Sequence, residues 1–252
     1  KVGAYLEKRR SLRVYQEEDS ITRVLVRVGR WIMPRANKIT LVIAVLSVLA
    51  MLATSKLFID SSWIGDFSAN SSIVKANQVL NDKFSGTVFL NVIVKGAERD
   101  SLKDPQVLNR IDNLQDKIES LAEVGDSISV VDYLKSMHKA LNADDPKFNV
   151  LPQDRKSIGV YLHLASISGR PELLDEVINR DYSYANITFA IKTDQIMMLK
   201  RIIDAVKKFV AEEFNDDRYI VNTAGMANNS YVWSDLLIKS QIGAIVVSKF
   251  AV

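Results

Sequence analysis

The clearest hydrophobic pattern in the chain is an uncharged stretch between Lys38 and Lys56. Its residues read ITLVIAVLSVLAMLATS, and the apolar character continues to Ile59 before Asp60 introduces a charge. At about 1.5 Å per residue, a helix over residues 39–59 is roughly 31 Å long, which matches one hydrocarbon core. A buried core helix of that length usually has a polar face, and a signal peptide has a shorter apolar region. We therefore predict a transmembrane helix over residues 39–59, with the Lys56 ammonium group reaching the far interface.

A basic leader, residues 1–38, precedes this stretch. It holds ten Lys or Arg residues against four acidic ones, a net charge of +6. Because basic residues beside a membrane helix are retained in the cytoplasm, we expect the leader there and the chain from Asp60 onward outside. Helical spacing in the leader predicts an amphipathic helix on the inner leaflet that Pro34 ends, with an ordinary solvated basic helix as the alternative. Its apolar positions are Ile21, Val24, Leu25, Val28, Trp31 and Ile32, and its arginines are Arg23, Arg27 and Arg30.

Residues 60–230 alternate between the patterns of helices and strands. The run TVFLNVIV is apolar and rich in β-branched residues, which is typical of a strand that is covered on its faces. Further along, alternation of Ile187, Phe189 and Ile191 with polar or small residues predicts a second main strand. The predicted strands are residues 87–94, 127–131, 186–191 and 218–221. The predicted helices are residues 72–84, a helix opened by Asp104 and Pro105 and closed by Gly125, residues 133–141, residues 153–164, and a long helix that Asp194 caps.

The order of these elements gives two strand-helix-strand units in succession. No glycine-rich loop follows the first strand of either unit, so the pattern does not fit a doubly wound nucleotide-binding fold. We therefore predict an α+β fold class, with an N-terminal transmembrane helix followed by tandem ferredoxin-like subdomains at about residues 72–135 and 150–225. Together they make an extracytoplasmic domain over residues 60–230.

The C-terminal segment becomes apolar again around QIGAIVV. We expect residues 231–252 to be the start of a second transmembrane helix that is cut off, with an amphipathic tail of a single-span protein as the alternative. The chain begins with Lys1 instead of Met. These features together lead us to expect a fragment of a larger membrane protein.

Composition and charge exclude several classes of function. There are 33 Lys and Arg residues against 30 Asp and Glu, and this balance is too even for a nucleic-acid-binding protein. The chain has no cysteine, so disulfides, thiolate zinc sites and cysteine nucleophiles are absent. The two histidines, His138 and His163, lack the spacing of metal ligands, and no nucleophile-elbow motif is present. We therefore expect no enzyme activity, no metal and no cofactor, and we read His138 as a surface residue.

An ordered series of short motifs resembles a known family. The chain resembles one extracytoplasmic porter domain of the resistance-nodulation-division (RND) exporter superfamily, of the MMPL-like, hydrophobe-exporter type, over roughly residues 20–252. Each motif is short and degenerate, and their order around a membrane helix carries the resemblance. The motifs are Phe84 and Gly86, Asp104-Pro105, Val107-Leu108, Leu114-Gln115, SVVDYLK at residues 129–135, Leu151-Pro152, Asp181-Tyr182, and Thr223-Ala224-Gly225.

The resemblance implies export of lipids or other hydrophobic molecules, driven by the proton motive force across a bacterial inner membrane. It also implies that further spans complete a multi-pass transporter, that membrane lipids and a lipid-like substrate are partners, and that a homo-oligomer is compatible. The acidic residues of the family's proton relay lie in a later span, and no substrate-binding residue is assigned. The leader favours the second half of such a transporter. The alternative is a non-transporting membrane-anchored module, either a sensor ectodomain or a Sec-translocase accessory subunit of RND-like architecture.

Overall fold

The chain separates into two compact units, with the boundary between Ile59 and Asp60. The computed structural model describes residues 20–54, 62–167 and 171–250. Two stretches of the predicted N-terminal region, residues 1–19 of the leader and residues 55–59 of the membrane span, lie outside the described residues.

The N-terminal unit is helical over all its described residues. Helix α1 spans Ser20–Ile32, a single 3-10 turn follows at Met33–Arg35, and helix α2 spans Ala36–Thr54. Helix α1 ends at Ile32, two residues before Pro34, so the predicted end of the helix at this proline is confirmed, and the backbone stays right-handed helical on both sides of the turn. Proline fits there because it lies in the first turn of a new helical segment, where its missing N–H would have no intrahelical partner.

Taken together, α1, the 3-10 turn and α2 form one helical stretch, the N-terminal helix, that is long and apolar enough to cross a membrane. The qualifying stretch is Thr22–Ala50, and none of the apolar window that qualifies it is buried within the fold of the chain. A helix of that length that leaves its apolar side chains exposed fits a lipid environment better than water. Membrane anchoring through this helix is thus supported by length and composition.

The second unit contains one four-stranded antiparallel sheet. Its strands are β1 at Val88–Gly96, β2 at Val124–Ile128, β3 at Tyr184–Ile191 and β4 at Tyr219–Ala224. Their order across the sheet is β2-β3-β1-β4, so β1 pairs with β3 and β4, and β3 pairs with β2. The prediction of two tandem subdomains is not confirmed, because the strands of the two predicted units interleave within one sheet. The α+β class itself is confirmed.

Apart from a short helix at Pro171–Asp175, which the sequence did not predict, the helices of this unit follow the predicted order with shifted ends. They are α3 at Ser72–Lys83, α4 at Pro105–Glu119, α5 at Val130–Leu141, α6 at Arg155–Ser166, α7 at Pro171–Asp175, α8 at Ile196–Glu213 and α9 at Gly225–Phe250. Short 3-10 segments lie at Ser101–Lys103 and Pro146–Phe148 among the described residues of this unit.

The core lies between one face of the sheet and helices α4 and α8. Alternation puts every second residue of β1 and β3 on this face, which is why the two central strands carry the most hydrophobic sequence. The opposite face of β1 keeps Phe89 exposed and places Asn91 beside Asn186 and Thr188, whose side-chain oxygens accept hydrogen bonds from its amide. The fully buried side chains of the two strands are Leu90, Val92, Val94, Ile187, Phe189 and Ile191.

The region between α4 and α5 differs from the sequence-based prediction. The predicted strand over residues 127–131 is shifted towards the N-terminus, because a capping box at Ser129 and Asp132 starts helix α5 at Val130. Gly125 does not close α4, which ends at Glu119. It lies within β2, where a β-carbon would collide with the Ser85 carbonyl oxygen, so glycine is required by close backbone approach.

Helix α9 contains most of the predicted second span. Residues 231–250 are helical, and residues 251–252 lie outside the described part of the chain. Over the described residues, the N-terminal helix is the one that is long and apolar enough to cross a membrane. A second span over residues 231–252 therefore stays a prediction.

Candidate hydrophobic-ligand site

A helix without any buried side chain forms one wall of an open cleft. Helix α3 begins after Ser71, whose hydroxyl accepts a hydrogen bond from the Val74 amide, as expected of an N-cap residue. No α3 residue is buried, and the apolar side chains of Ile73 and Leu80 remain 45% and 43% exposed. Exposed apolar side chains that line a concavity are a common feature of ligand-binding surfaces.

The cleft has a volume of about 400 Å³ and a largely apolar lining. Its walls come from the turn at residues 62–65, helix α3, the start of β1, helix α8 and the first turns of α9. This volume lies within the range of small-molecule sites, and a mainly apolar wall with few polar groups selects apolar ligands. The apolar lining includes Trp63, Ile73, Leu80, Val88, Leu199 and Met226.

Asp194 fixes the turn that forms the outer rim of the cleft. One of its carboxylate oxygens accepts a hydrogen bond of 2.7 Å from the Ser62 hydroxyl, and the other accepts one of 2.8 Å from the Ile64 amide. The Ser62 hydroxyl oxygen in turn accepts a hydrogen bond from the Gly65 amide at 2.8 Å. These bonds hold the turn, and with it the exposed ring of Trp63, beside the start of α8.

This role corrects the predicted one. Asp194 does not cap helix α8, because the N-cap is Gln195 and the structure gives that residue no side-chain capping bond. The carboxylate is engaged by residues about 130 positions earlier in the chain. The local sequence therefore identified a polar residue of structural importance but assigned it the wrong partner.

Polar contacts hold α3 on the opposite side of the cleft. The Thr87 hydroxyl donates a hydrogen bond of 2.8 Å to the Asn77 side-chain oxygen, and the Asn81 amide donates one of 2.7 Å to the Lys192 carbonyl oxygen. Because none of its apolar side chains is buried, α3 is bound to the sheet more weakly than α4 or α8. The wall that α3 forms is therefore the one best able to move when a ligand enters.

Possible metal ligands are dispersed over the described part of the chain. Among residues 20–54, 62–167 and 171–250, no group of three or more histidine, aspartate or glutamate side chains is arranged to hold a metal ion. The Nδ1 atom of His138 lies 2.8 Å from the Val150 carbonyl oxygen, and its ring packs edge-on against Phe148. The contacts of His138 thus tie the segment before α6 to helix α5.

The sequence contained only indirect signs of this cleft. Trp63, Ile73 and Leu80 are recognisable as apolar residues, but nothing in their spacing shows that they remain exposed and face one concavity. That arrangement depends on the pairing of β1 with β3, which brings residue 194 next to residues 62–65. No substrate-binding residue had been predicted, and the cleft supplies the first candidates.

No protein-family model matches the chain, and no curated protein matches it in sequence.

Proposed function

We propose that this chain supplies a membrane helix and an extracytoplasmic porter domain to an RND-type exporter of the MMPL-like kind. In this proposal the exporter uses the proton motive force to move lipids or other hydrophobic compounds outward from a bacterial inner membrane. The observation that carries the proposal is the apolar cleft bounded by the turn at residues 62–65. That turn follows closely, along the chain, the helix able to cross a membrane.

Chemistry and chain order support this assignment together. A hydrophobic compound leaving a bilayer needs a water-shielded apolar surface, because exposing each methylene group to water costs about 0.8 kcal/mol. A cleft of about 400 Å³ has room for an alkyl chain. Only seven residues of sequence separate the last described residue of α2 from Ser62 in the turn at the rim, so this rim turn belongs to the part of the domain nearest the membrane helix in sequence.

The sheet topology supports one ferredoxin-like porter subdomain in place of the two that the sequence predicted. The sheet order β2-β3-β1-β4, with α4 following β1 and α8 following β3, is the split strand-helix-strand arrangement of ferredoxin-like domains. We propose that residues 60–230 form one such subdomain, with α5, α6 and α7 inserted between its halves. The basic leader places this subdomain outside the cytoplasm in the proposal.

The energy-coupling residues of the proposed exporter lie elsewhere. Helix α2 contains no acidic residue between Ala36 and Thr54, so no carboxylate of this helix is available to carry protons through the hydrocarbon layer. Within the proposal this chain receives and guides the hydrophobic compound, and other spans of the transporter couple the movement to proton entry.

Site-specific photocrosslinking in living cells tests the proposal. The photoreactive amino acid benzoylphenylalanine replaces Leu80 in the cleft wall, and a matched variant carries it at Val160, which is 54% exposed on helix α6. We expect irradiation to attach a lipid or lipid-like compound to the Leu80 variant, seen as a mass increase of the purified chain, and not to the Val160 variant. Crosslinking should fall when a protonophore collapses the proton gradient.

A genetic comparison separates this function from its alternative. Cells that lack the gene should show a changed lipid composition of the envelope, and Leu80→Glu should fail to restore it while Val160→Glu succeeds. Impaired signalling or protein secretion with unchanged envelope lipids would instead favour a membrane-anchored sensor or Sec-accessory module and would reject the exporter.

A further inference from the structure

Helix α1 has two chemically opposed faces and no acidic residue. At 100° per residue, most of its large apolar side chains fall within one sector of the helix, and Arg23, Arg27 and Arg30 fall within the opposite sector; Val26 is the exception and lies on the arginine side. All three arginines are exposed, as are the apolar side chains. The exposed members of the apolar stripe are Val24, Leu25, Val28, Trp31 and Ile32.

The length of the N-terminal unit leaves α1 outside the hydrocarbon layer. Helix α1, the 3-10 turn and α2 contain 13, 3 and 19 residues. At about 1.5 Å per residue they reach roughly 50 Å, whereas a hydrocarbon core is about 30 Å thick. Because α2 has no charged residue after Lys38 and α1 has three arginines, α2 is the part that fits the core and α1 is the part at its boundary.

The junction between the two helices has the chemistry of a membrane interface. The Arg35 guanidinium lies 5.2 Å from the centre of the Trp31 ring and donates a hydrogen bond to the Trp31 carbonyl oxygen. Tryptophan rings and arginines are both preferred at the level of lipid headgroups. Pro34 supplies the point at which α1 and α2 can change direction, because its ring removes one backbone donor.

We propose that α1 binds the surface of an anionic lipid bilayer. Its apolar stripe faces the acyl chains, and Arg23, Arg27 and Arg30 bind the phosphate groups of the lipid headgroups, which guanidinium groups can grip with two hydrogen bonds. Charge complementarity and direct continuity with the membrane helix identify the lipid surface as the occupant of this face. The proposal is independent of what the extracytoplasmic domain transports.

Tryptophan fluorescence of the full chain in vesicles tests the proposal. The chain has three tryptophans, so Trp63→Phe and Trp233→Phe leave Trp31 as the sole emitter. This variant is reconstituted into vesicles of phosphatidylcholine alone, or of phosphatidylcholine with phosphatidylglycerol in both leaflets, so that insertion direction does not matter. We expect iodide quenching of Trp31 to be about twofold lower in the anionic vesicles, with increased quenching by lipids brominated near the glycerol end.

The arginine face is then removed in the same background. Arg23→Gln, Arg27→Gln and Arg30→Gln together should return iodide quenching to its level in phosphatidylcholine vesicles. The matched control, Lys83→Gln, Lys117→Gln and Lys156→Gln, removes three exposed charges from the other unit and should leave quenching unchanged. Equal quenching of Trp31 in both kinds of vesicle would overturn the proposal and point to an acidic protein surface or bulk water around α1. Persistence of the lipid dependence without the three arginines would also overturn it, because the arginines would then not be the groups that bind the lipid phosphates.

Discussion

Asp194 joins two distant parts of the chain through a single carboxylate. Replacing it by alanine removes the acceptors for the Ser62 hydroxyl and the Ile64 amide. Because each net hydrogen bond contributes about 1 kcal/mol, we expect Asp194→Ala to lower the free energy of unfolding by roughly 1–2 kcal/mol. The Ile64 amide should also exchange its hydrogen with solvent faster, which hydrogen–deuterium exchange with mass spectrometry can measure.

A matched control variant distinguishes loss of the hydrogen bonds to the rim turn from the mere loss of one negative charge. Asp175 pairs with Arg180 at 3.3 Å in a pair whose arginine side chain is 88% exposed, and such surface pairs contribute little. Asp175→Ala should therefore change neither the stability nor the exchange of the Ile64 amide. Unchanged Ile64 exchange in Asp194→Ala would show that the carboxylate does not hold the turn.

We expect Asp216 to contribute to the loss of folding stability at acidic pH. The hydrogen bond from the Arg218 side chain, with a further one from Arg110, holds the pKa of Asp216 below its ordinary value of 3.8. A carboxyl whose pKa is lower in the folded state stabilises the fold above its unfolded pKa, and this contribution is lost as pH falls through the folded value. Asp216→Asn should thus be less stable than the parent at pH 7 and lose less stability than the parent below about pH 4.

Urea unfolding of both proteins over that pH range measures the difference. The Asp216 carboxylate accounts for the effect only if the two stability curves converge as the solution becomes more acidic. A constant gap between the parent and Asp216→Asn at every pH would mean that Asp216 is equally protonated in the folded and unfolded states.

At the scale of elements, we expect replacement of two glycines by alanine to change the stability of the domain in opposite directions. A β-carbon at Gly125 in strand β2 would collide with backbone atoms of Ser85, whereas one at Gly159 inside helix α6 meets nothing within 4 Å. We expect Gly125→Ala to destabilise the domain by about 1–3 kcal/mol, because backbone must move. Gly159→Ala should stabilise it by up to about 1 kcal/mol, because alanine is the better helix former. Thermal unfolding of the two variants would show shifts of opposite sign.

Some helices and strands could be predicted from the sequence, and others could not. Strand β1 was predictable from its apolar run rich in β-branched residues, and strand β3 because burial of one face imposes a period of two. Helix α4 was predictable because Asp104 and Pro105 are standard signals of a helix start. The boundary near Ser129 was placed wrongly because its residues suit a strand locally, and the capping box decided in favour of helix α5. Gly125 resembled a helix terminator, although its real constraint comes from Ser85, forty residues earlier.

At the scale of the whole molecule, the pairing of the strands could not be predicted from the sequence. Both strand-helix-strand units were visible in the hydrophobic pattern, but no local signal states which strands become neighbours. Pairing of β1 with β3 and β4 merges the units into one sheet and brings Asp194 to the turn at residues 62–65. The cleft is a product of this pairing, so its lining residues could be recognised as apolar from sequence but not as a site.

The orientation of the whole molecule across the membrane gives the last prediction. Because the chain contains no cysteine, single cysteines can report accessibility without removing any native residue of that type. Ser120→Cys places a thiol at an exposed position at the end of α4, and Ser11→Cys places one in the basic leader. A membrane-impermeant maleimide added to intact spheroplasts should label the first and spare the second, since ten basic residues retain the leader in the cytoplasm. Both should react after lysis, and labelling of Ser11→Cys before lysis would reverse the orientation on which the proposed export depends.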